Sequence, residues 1–406
     1  MEKDKLQTVI IGGGAAGFFL AINLKEMCPQ MDVTIMERAQ RVLRKVEVSG
    51  GGRCNLTNTF EGIRDLKEVY PRGHRLLKRL FRQFDHHDTW KWFQQRGVKL
   101  VAQDDHCVFP QSQDAHTIIN LFLSEAHRLG INILTGRNVC SLDELADYDY
   151  ICITTGGQPS CEGLTWLGQE METPVPSLFT LSIADTALTS LTGTVVNHAS
   201  AMIPGTKLRA YGPLLITHWG MSGPCILRLS SYAARYLAEA HYQSPLLVNW
   251  ASATENEAAE ALQTLMRQSP QKMITTVSPL ALPQRLWAYI VEKALLQRAH
   301  APWSSLNAKE LHRIINVLTA DEYQMSGRAP HRDEFVTCGG VALHTVNPQT
   351  LESRTRPGLF FAGEILDIDG ITGGFNFQAA WTTAYAVARG IASHDRDLGQ
   401  MRNSNC

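Results

Sequence analysis

Thr8-Val-Ile-Ile-Gly-Gly-Gly-Ala-Ala-Gly17 decides the fold of this 406-residue chain. Thr8–Ile11 reads as a buried strand, and G-x-G-x-x-G follows it with Gly12, Gly14 and Gly17 in the glycine positions. The apolar run from Phe18 to Leu24 predicts a helix, and Val33-Thr-Ile-Met36 predicts a second strand ending at Glu37. Each part has a physical task. Gly12 permits the tight turn out of the strand, Gly14 lets the backbone approach a pyrophosphate, and Gly17 lets the helix pack closely on the sheet. The first helical residues, Ala15 and Ala16 with Gly17, carry N–H groups that have no partner inside a helix and suit phosphate oxygens. Glu37 is placed to accept the hydroxyls of an adenosine ribose. A glycine motif alone is weak, but strand, glycines, helix, strand and acid in register specify a dinucleotide site.

The next informative stretch is Arg44-Lys-Val-Glu-Val-Ser-Gly-Gly-Gly-Arg-Cys-Asn-Leu-Thr-Asn58. Gly50, Gly51 and Gly52 in a row exclude a stable helix and expose backbone N–H groups, so the chain can wrap a flat or anionic ligand; the alternative is a flexible surface loop. Residues 65–83 carry Lys67, Arg72, Arg75, Lys78, Arg79 and Arg82, with Leu76, Leu77, Leu80 and Phe81 at helical spacing. This predicts an amphipathic helix with a basic face over 67–82. The face is either a solvated surface or a dock for a phosphorylated substrate or RNA. The aromatics of Thr89-Trp-Lys-Trp-Phe93 read as core. A helix centred on Thr117–Leu123 and a strand from Ile131 precede a buried strand, Tyr148 to Thr155, which closes on Gly156-Gly157. Thr155, Gly156 and Gly157 can then lie against the same dinucleotide with no bulky side chain between.

From Thr192 to Leu247 the pattern is strand-like and punctuated by Gly193, Pro204, Gly205, Gly212 and Pro213. Thr217-His-Trp-Gly-Met-Ser-Gly-Pro224 leads into an apolar helix from Cys225 to Leu237, and helices are expected over 253–268, 283–298 and 308–320. The end of the chain reverts to nucleotide-fold character. Phe335-Val-Thr-Cys-Gly-Gly-Val341 and Gly358-Leu-Phe-Phe-Ala-Gly-Glu364 read as strands, and Asp367-Ile-Asp-Gly-Ile-Thr-Gly-Gly-Phe-Asn-Phe-Gln378 runs into a helix of small residues, Ala379–Ala388. Glycine sites at both ends imply a discontinuous nucleotide domain. The expected fold is α/β (α+β overall): a Rossmann-like domain with a parallel sheet built from 1–189 and 336–406, and an inserted substrate or cap region, 190–335, whose helical part spans about 250–325.

Composition narrows the function. Charge is balanced, with 38 Lys+Arg against 39 Asp+Glu, so there is no global attraction to nucleic acid or an anionic membrane. Nine cysteines lie at 28, 54, 107, 140, 152, 161, 225, 338 and 406 without a C-x-x-C pair. Reduced thiols fit better than disulfides or a metal site. Met1–Gln7 lacks the pattern of a signal peptide, and no membrane span is expected, so a cytoplasmic protein is the reading.

Three stretches together carry a resemblance: Val48-Ser-Gly-Gly-Gly-Arg-Cys-Asn-Leu-Thr-Asn58, Thr217–Pro224 and Phe361–Gln378. The chain resembles, over nearly its whole length, the BaiN/RdsA-like family of NAD(P)/FAD-dependent oxidoreductases, the HI0933-like flavoproteins. The resemblance implies FAD in an N-terminal domain completed by the C-terminal segment, with a β-barrel and a helical domain inserted. It implies that Gly12, Gly14 and Gly17 contact the pyrophosphate and Glu37 the ribose, with Arg38 and Lys45 nearby. Gly51, Gly52, Arg53 and Cys54 would border the flavin. Val139 would meet adenine through its backbone, and Gly156 would pass close to the nucleotide. Gly340, Gly363, Glu364, Asp369, Gly373, Gly374, Phe375 and Asn376 would complete the flavin and ribityl end. The sequence departs from the usual family form at Gln158-Pro-Ser-Cys-Glu-Gly163, where many relatives carry a longer loop.

The helix entered at Gly373-Gly374 is suited to the electron-rich end of a reduced flavin. Three side chains are candidates for catalysis. His218 can donate a proton to a substrate carbon or carbonyl, or be an ordinary surface or core histidine. Arg53 can hold an anionic substrate or the flavin, or pair with an internal carboxylate. Cys54 can act as a proton donor if its glycine-rich setting lowers its pKa, or be a structural thiol. The resemblance implies an FAD-dependent reductase of an activated C=C bond. NAD(P)H would be a transient donor, because a second dinucleotide fingerprint is not evident. Relatives are linked to reduction of bile-acid intermediates, to uridine reduction in ribosomal RNA and to amine oxidation with oxygen. A flavin-binding protein without turnover is the alternative from another class.

Overall fold

β1 (Gln7–Ile11) is buried from Thr8 onward and ends at Gly12, just before α1 (Ala15–Met27). Ala16 to Leu24 are all buried, so α1 has no solvent face along that span; Pro29 follows its end. β2 (Asp32–Glu37) lies parallel to β1. After α2 (Arg44–Val48) and the glycine run come β3 (Thr57–Asn58), α3 (His74–Leu80), α4 (His86–Gln95), β4 (Leu100–Ala102) and β5 (Cys107–Pro110). The three short strands pair as β3-β5-β4. α5 (His116–Arg128) leads to β6 (Asn132–Thr135), β7 (Tyr150–Ile153) and β8 (Met171–Ser177).

This is a computed structural model, describing residues 5–158, 160–329 and 336–404, with side chains to 396. Pro159, Phe335 and Cys406, named above, lie outside the described residues. The chain forms two units, Met1–Val175 with Val336–Cys406, and Pro176–Phe335.

The second unit closes β9 (Leu181–Ile183), β10 (Val195–Met202), β11 (Arg209–Thr217), β12 (Gly220–Ser222), β13 (Pro245–Asn249) and β14 (Asp321–Arg328) into a barrel of order β10-β11-β12-β9-β14-β13. It begins at Pro176 rather than at the expected 190, because β9 is a barrel strand whose partners, β12 and β14, are remote in sequence. α6 (Thr186–Thr189), α7 (Gly223–Tyr232), α8 (Ala234–Glu239), α9 (Glu255–Gln268), α10 (Gln284–Leu295) and α11 (Ala308–Thr319) complete the unit. The expected helix at 225–237 is broken in two at Ala233. Trp250, Trp287 and Trp303 are fully buried in its core.

The chain then returns to the first unit. β15 (Val336–Val341) pairs with β8, and β16 (Leu359–Phe361) adds in parallel to β7. The sheet β16-β7-β1-β2-β6 is thus wholly parallel and built from both ends of the chain. α12 (Phe375–Ser404) packs on α1: the Phe19 ring lies 5.1 Å from Trp381 and 4.6 Å from Trp92 of α4. Burying aromatic rings of this size dominates the local stabilisation.

The basic stretch differs from expectation. Helix covers only His74–Leu80, because Pro71 and Gly73 break the backbone and Leu66–Glu68 is a separate tight turn capped by Asp65. Lys67 and Arg72 are therefore off the helix. Arg75, Lys78, Arg79 and Arg82 remain exposed together, and Arg75, Arg79 and Arg82 make no ion pair among the described residues.

Candidate functional site

The phosphate end is set by backbone. Gly12 has φ +115°, and a Cβ there would lie 2.5 Å from Thr154 O, so only glycine makes this turn. A Cβ on Gly17 would meet Gly12 O at 2.1 Å, which is why the helix can start so close to β1. Gly14 is different: a Cβ there meets nothing within 4 Å. No side chain caps the first turn of α1, so Ala15, Ala16 and Gly17 offer their N–H groups towards that open side. Glu37 Oε2 accepts from Gly13 N and Oε1 from Ala39 N, both at 2.8 Å, which fixes the carboxylate and leaves lone pairs for hydroxyls. Arg38 is exposed in the same turn, and Arg137 N donates to Glu37 O at 2.9 Å, bringing the loop that carries half-buried Val139 beside β2. Thr155 Oγ1 is buried without a partner. An open glycine, free helix-end donors and an orphaned hydroxyl fit a pyrophosphate and ribose.

The second glycine run has all three residues in the left-handed region, with φ +56°, +69° and +84° at Gly50, Gly51 and Gly52. Gly50 is packed, its Cβ position 2.9 Å from Asn55 N, whereas Gly51 faces open space and Gly52 meets only Glu47 O at 4.0 Å. Arg53 fastens the loop. Its Nε donates to Gly50 O at 3.0 Å, Nη1 donates to Gln113 Oε1 at 3.3 Å, and the guanidinium sits 4.2 Å over Phe109. Its partners are a carbonyl and an amide, not the internal carboxylate considered above. Of the two readings of Cys54, burial removes the premise of the proton donor, a lowered pKa. Cys54 is wholly buried at φ +60°, and burial pushes its thiol up to about 12, only partly offset by the Ser49 hydroxyl. Glycine neighbours do not lower a thiol pKa when the surroundings are dry.

The wrap is locked to the far end of the chain. Asn58 Nδ2 donates to Gly373 O at 3.0 Å, Thr57 Oγ1 to Gln378 Oε1 at 2.6 Å, and Trp381 Nε1 to Leu56 O at 2.9 Å. Asn55, in the amide orientation that satisfies both ends, bridges Thr57 O and Gly374 N. Lys45 pairs with Glu364 at 2.8 Å, and Glu364 accepts from Thr337 N at 2.9 Å, with Gly156 and Gly157 directly alongside. Gly340 and Gly363 are packing glycines, against Ile365 O and Ala16 respectively. Asn376 uses both amide atoms on Gly370, accepting at 2.8 Å and donating at 3.0 Å. Phe375 is buried under Tyr70, whose hydroxyl donates to Phe375 O at 2.8 Å.

Asp369 is expected to help complete the flavin and ribityl end. Its carboxylate is fully buried and forms a two-pronged ion pair with Arg72, so it is spent on the protein. Sequence reasoning placed Arg72 on a basic face; its position between Pro71 and Gly73 was the available signal that it is not helical. Tyr70, Thr337 and Gln378 were also missed, and nothing local marks them. His218 lies in the second unit, exposed at the β11–β12 turn, with its ring 4.9 Å from Trp219. Among the described residues, no helix is long and apolar enough to cross a membrane.

The model of the "HI0933-like protein Rossmann domain" matches residues 6–390. The chain is 27% identical to a ribosomal RNA dihydrouridine synthase of Haemophilus influenzae, over 95% of this chain and 98% of that one. It is 26% identical to a 3-dehydro-bile acid delta(4,6)-reductase of Clostridium scindens, over 94% and 98%. A ribosomal RNA dihydrouridine synthase of Escherichia coli is 25% identical over 96% and 98%. With a fold, a phosphate cradle and a match of this extent, the chain belongs to the HI0933-like family of FAD-binding, flavin-dependent oxidoreductases.

Proposed function

We propose that this protein reduces a C=C bond conjugated to a carbonyl, with NAD(P)H as electron donor, and therefore works in the cytoplasm. The observation that carries this reading is that full-length relatives with unlike substrates, a uridine in RNA and a bile acid, share that one chemistry by name. FAD, when bound, supplies hydride transfer. The chain's own residues do the rest. The first turns of α1 and α12 and Glu37 bind and orient, and open Gly51 and Gly52 let a ring lie flat on backbone. Lys45, 60% exposed, brings positive charge to the Glu364 edge. Of the three catalytic candidates, Arg53 does not release a proton in proteins and buried Cys54 holds its own too tightly. His218 is left as the proposed proton donor.

Anaerobic titration of the yellow protein with NADH and NADPH tests the reading. Bleaching, followed by reoxidation with an enone or a uridine-containing RNA, is expected. Flavin that stays oxidised under both donors, or that is reoxidised only by oxygen after amine oxidation, would overturn it. His218→Gln should slow reoxidation by substrate and leave bleaching unchanged.

One observation favours RNA over a small apolar substrate. Four exposed cations, Arg75, Lys78, Arg79 and Arg82, crowd α3 and the residues just after it, although like charges three or four apart on a helix weaken it. Dihydrouridine in ribosomal RNA should fall in cells lacking the gene; unchanged modification removes the RNA reading and leaves the enone reading standing.

A further inference from the structure

The outer face of the barrel carries a groove. Burial alternates along β10, β11 and β13, so Ala199, Ala201, Ala210 and Val248 point into the barrel and their neighbours point out. The strand register sets the outward residues in two rows. Tyr211 lies opposite Ser200, and Ser200 opposite Asn249; one step along, Arg209 lies opposite Met202, and Met202 opposite Leu247. Residues paired in this way share a face. With Thr319 and Ala320 at the end of α11 they line a groove of about 140 Å³, room for one flat heterocycle. Its floor is apolar, from half-buried Met202 and Leu247. Asn249 is spent on its own loop: Oδ1 accepts from Ala251 N and Ala253 N, both at 3.2 Å, and Nδ2 donates to Ala253 O at 2.7 Å. The Ser200 hydroxyl, the Tyr211 hydroxyl and the Arg209 guanidinium have no hydrogen bond or ion pair among the described residues. Tyr211 is 53% exposed. Lys207, in the turn before β11, is a second exposed cation without an ion pair among the described residues. The acid on these rows is Glu322, opposite Leu247 and three strands, about 14 Å, from Arg209.

We propose that this groove is a nucleobase subsite for single-stranded RNA, with one base stacked on Tyr211 and the adjoining phosphate on Arg209. Residues two apart on a strand lie on one face about 7 Å from each other, so the ring and the cation serve neighbouring parts of one nucleotide. An exposed ring beside an uncompensated guanidinium is the combination that holds unpaired strands without reading their sequence. With Asn249 spent, no amide is left to read base edges, so the subsite takes any base. A duplex does not fit it, because duplex bases are already stacked inside the helix. The choice of RNA rests on the RNA reading above, whereas the subsite lies within the second unit and is independent of the flavin and of His218.

The experiment is fluorescence anisotropy of a labelled RNA single strand of about ten nucleotides with the full-length protein and its variants. Tyr211→Ala should weaken binding about tenfold, and Tyr211→Phe, which keeps the ring, should bind as wild type does. Arg209→Gln should lower the slope of log affinity against log salt by about one. Both side chains are exposed and unbonded, so the variants should share the wild-type urea midpoint. Tyr236→Ala, at another exposed tyrosine on α8, should leave binding unchanged. Tyr211→Ala without effect, Tyr211→Phe as weak as Tyr211→Ala, or an equal loss in Tyr236→Ala would overturn the subsite and leave the RNA reading standing. A wild-type protein that binds no single strand overturns both. Dihydrouridine unchanged in cells lacking the gene, with the Tyr211 effect intact, overturns RNA as the substrate and keeps the subsite.

Discussion

The two glycine regions of the first unit do the same kind of work by different means. At Gly12–Gly17 nearly every constraint is near in sequence: the turn, the first helical turn and the Glu37 carboxylate all lie within one β-α-β unit, with Thr154 as the distant wall. At Gly50–Asn58 the loop conformation is local, but its anchor is not. Asn58, Thr57 and Leu56 are tied to Gly373, Gln378 and Trp381 more than three hundred residues away. The comparison separates glycines that serve the protein from glycines that leave room for a ligand. Gly12, Gly17 and Gly374 have backbone where a Cβ would be, whereas Gly14 and Gly51 face open space.

The largest expected effect breaks the distant anchor. Gly374 sits at φ +87°, and a Cβ there would lie 2.2 Å from Thr57 O. Gly374→Ala adds left-handed strain to overpacking and should cost about 3 kcal/mol or more of apo-protein stability, read by urea denaturation. Next is Gln378→Leu. It strips the acceptor from the hydroxyls of Thr57 and Thr89, which donate to Gln378 Oε1 at 2.6 and 2.9 Å. Thr89 can still donate to Asp85 O at 3.1 Å, but Thr57 keeps only a 3.5 Å contact with Asn58 O and Thr382 loses its donor, so the cost should be about 2 kcal/mol. Gly14→Ala sharpens the contrast from the other side. With φ −93° and no neighbour, the apo-protein should keep its stability to within about 0.5 kcal/mol, while FAD affinity falls at least about tenfold, about 1.4 kcal/mol. An apo-protein destabilised as much as Gly374→Ala would erase the distinction.

Legibility in the sequence follows the same divide. Strand, glycines, helix and acid at 8–37 could be read because their contacts are local and repeat a known spacing. The wrap at 50–52 could be read as a loop against a ligand, but not that Asn55–Asn58 exist to hold the other end of the chain. Arg72 was misplaced because charge periodicity continues through Pro71-Arg72-Gly73 although the backbone does not, and its partner Asp369 is remote. The barrel boundary was misplaced because β9 is only three residues long and is defined by its partners. Cys54 was left between a proton donor and a structural thiol because burial depends on tertiary packing, which flanking glycines do not report.

Cys54 also yields the smallest effect, and one with a definite pH window. Its thiol is raised from 9.0 to about 12 in the folded protein. The raised value means that the folded state holds the proton after the unfolded chain has released it. Stability from this group is therefore complete below about pH 9 and declines as pH rises towards 12, the direction required when the unfolded state binds fewer protons. Other buried thiols share the trend, since Cys152 and Cys225 are also pushed up by burial. The comparison must therefore be between variants rather than between pH values alone. Cys54→Ala, measured in urea at pH 8 and pH 10, should lose less stability between the two than wild type, by up to about 1 kcal/mol. Equal losses would mean that Cys54 reaches solvent in the folded protein, which would restore it as a reactive thiol beside the glycine wrap.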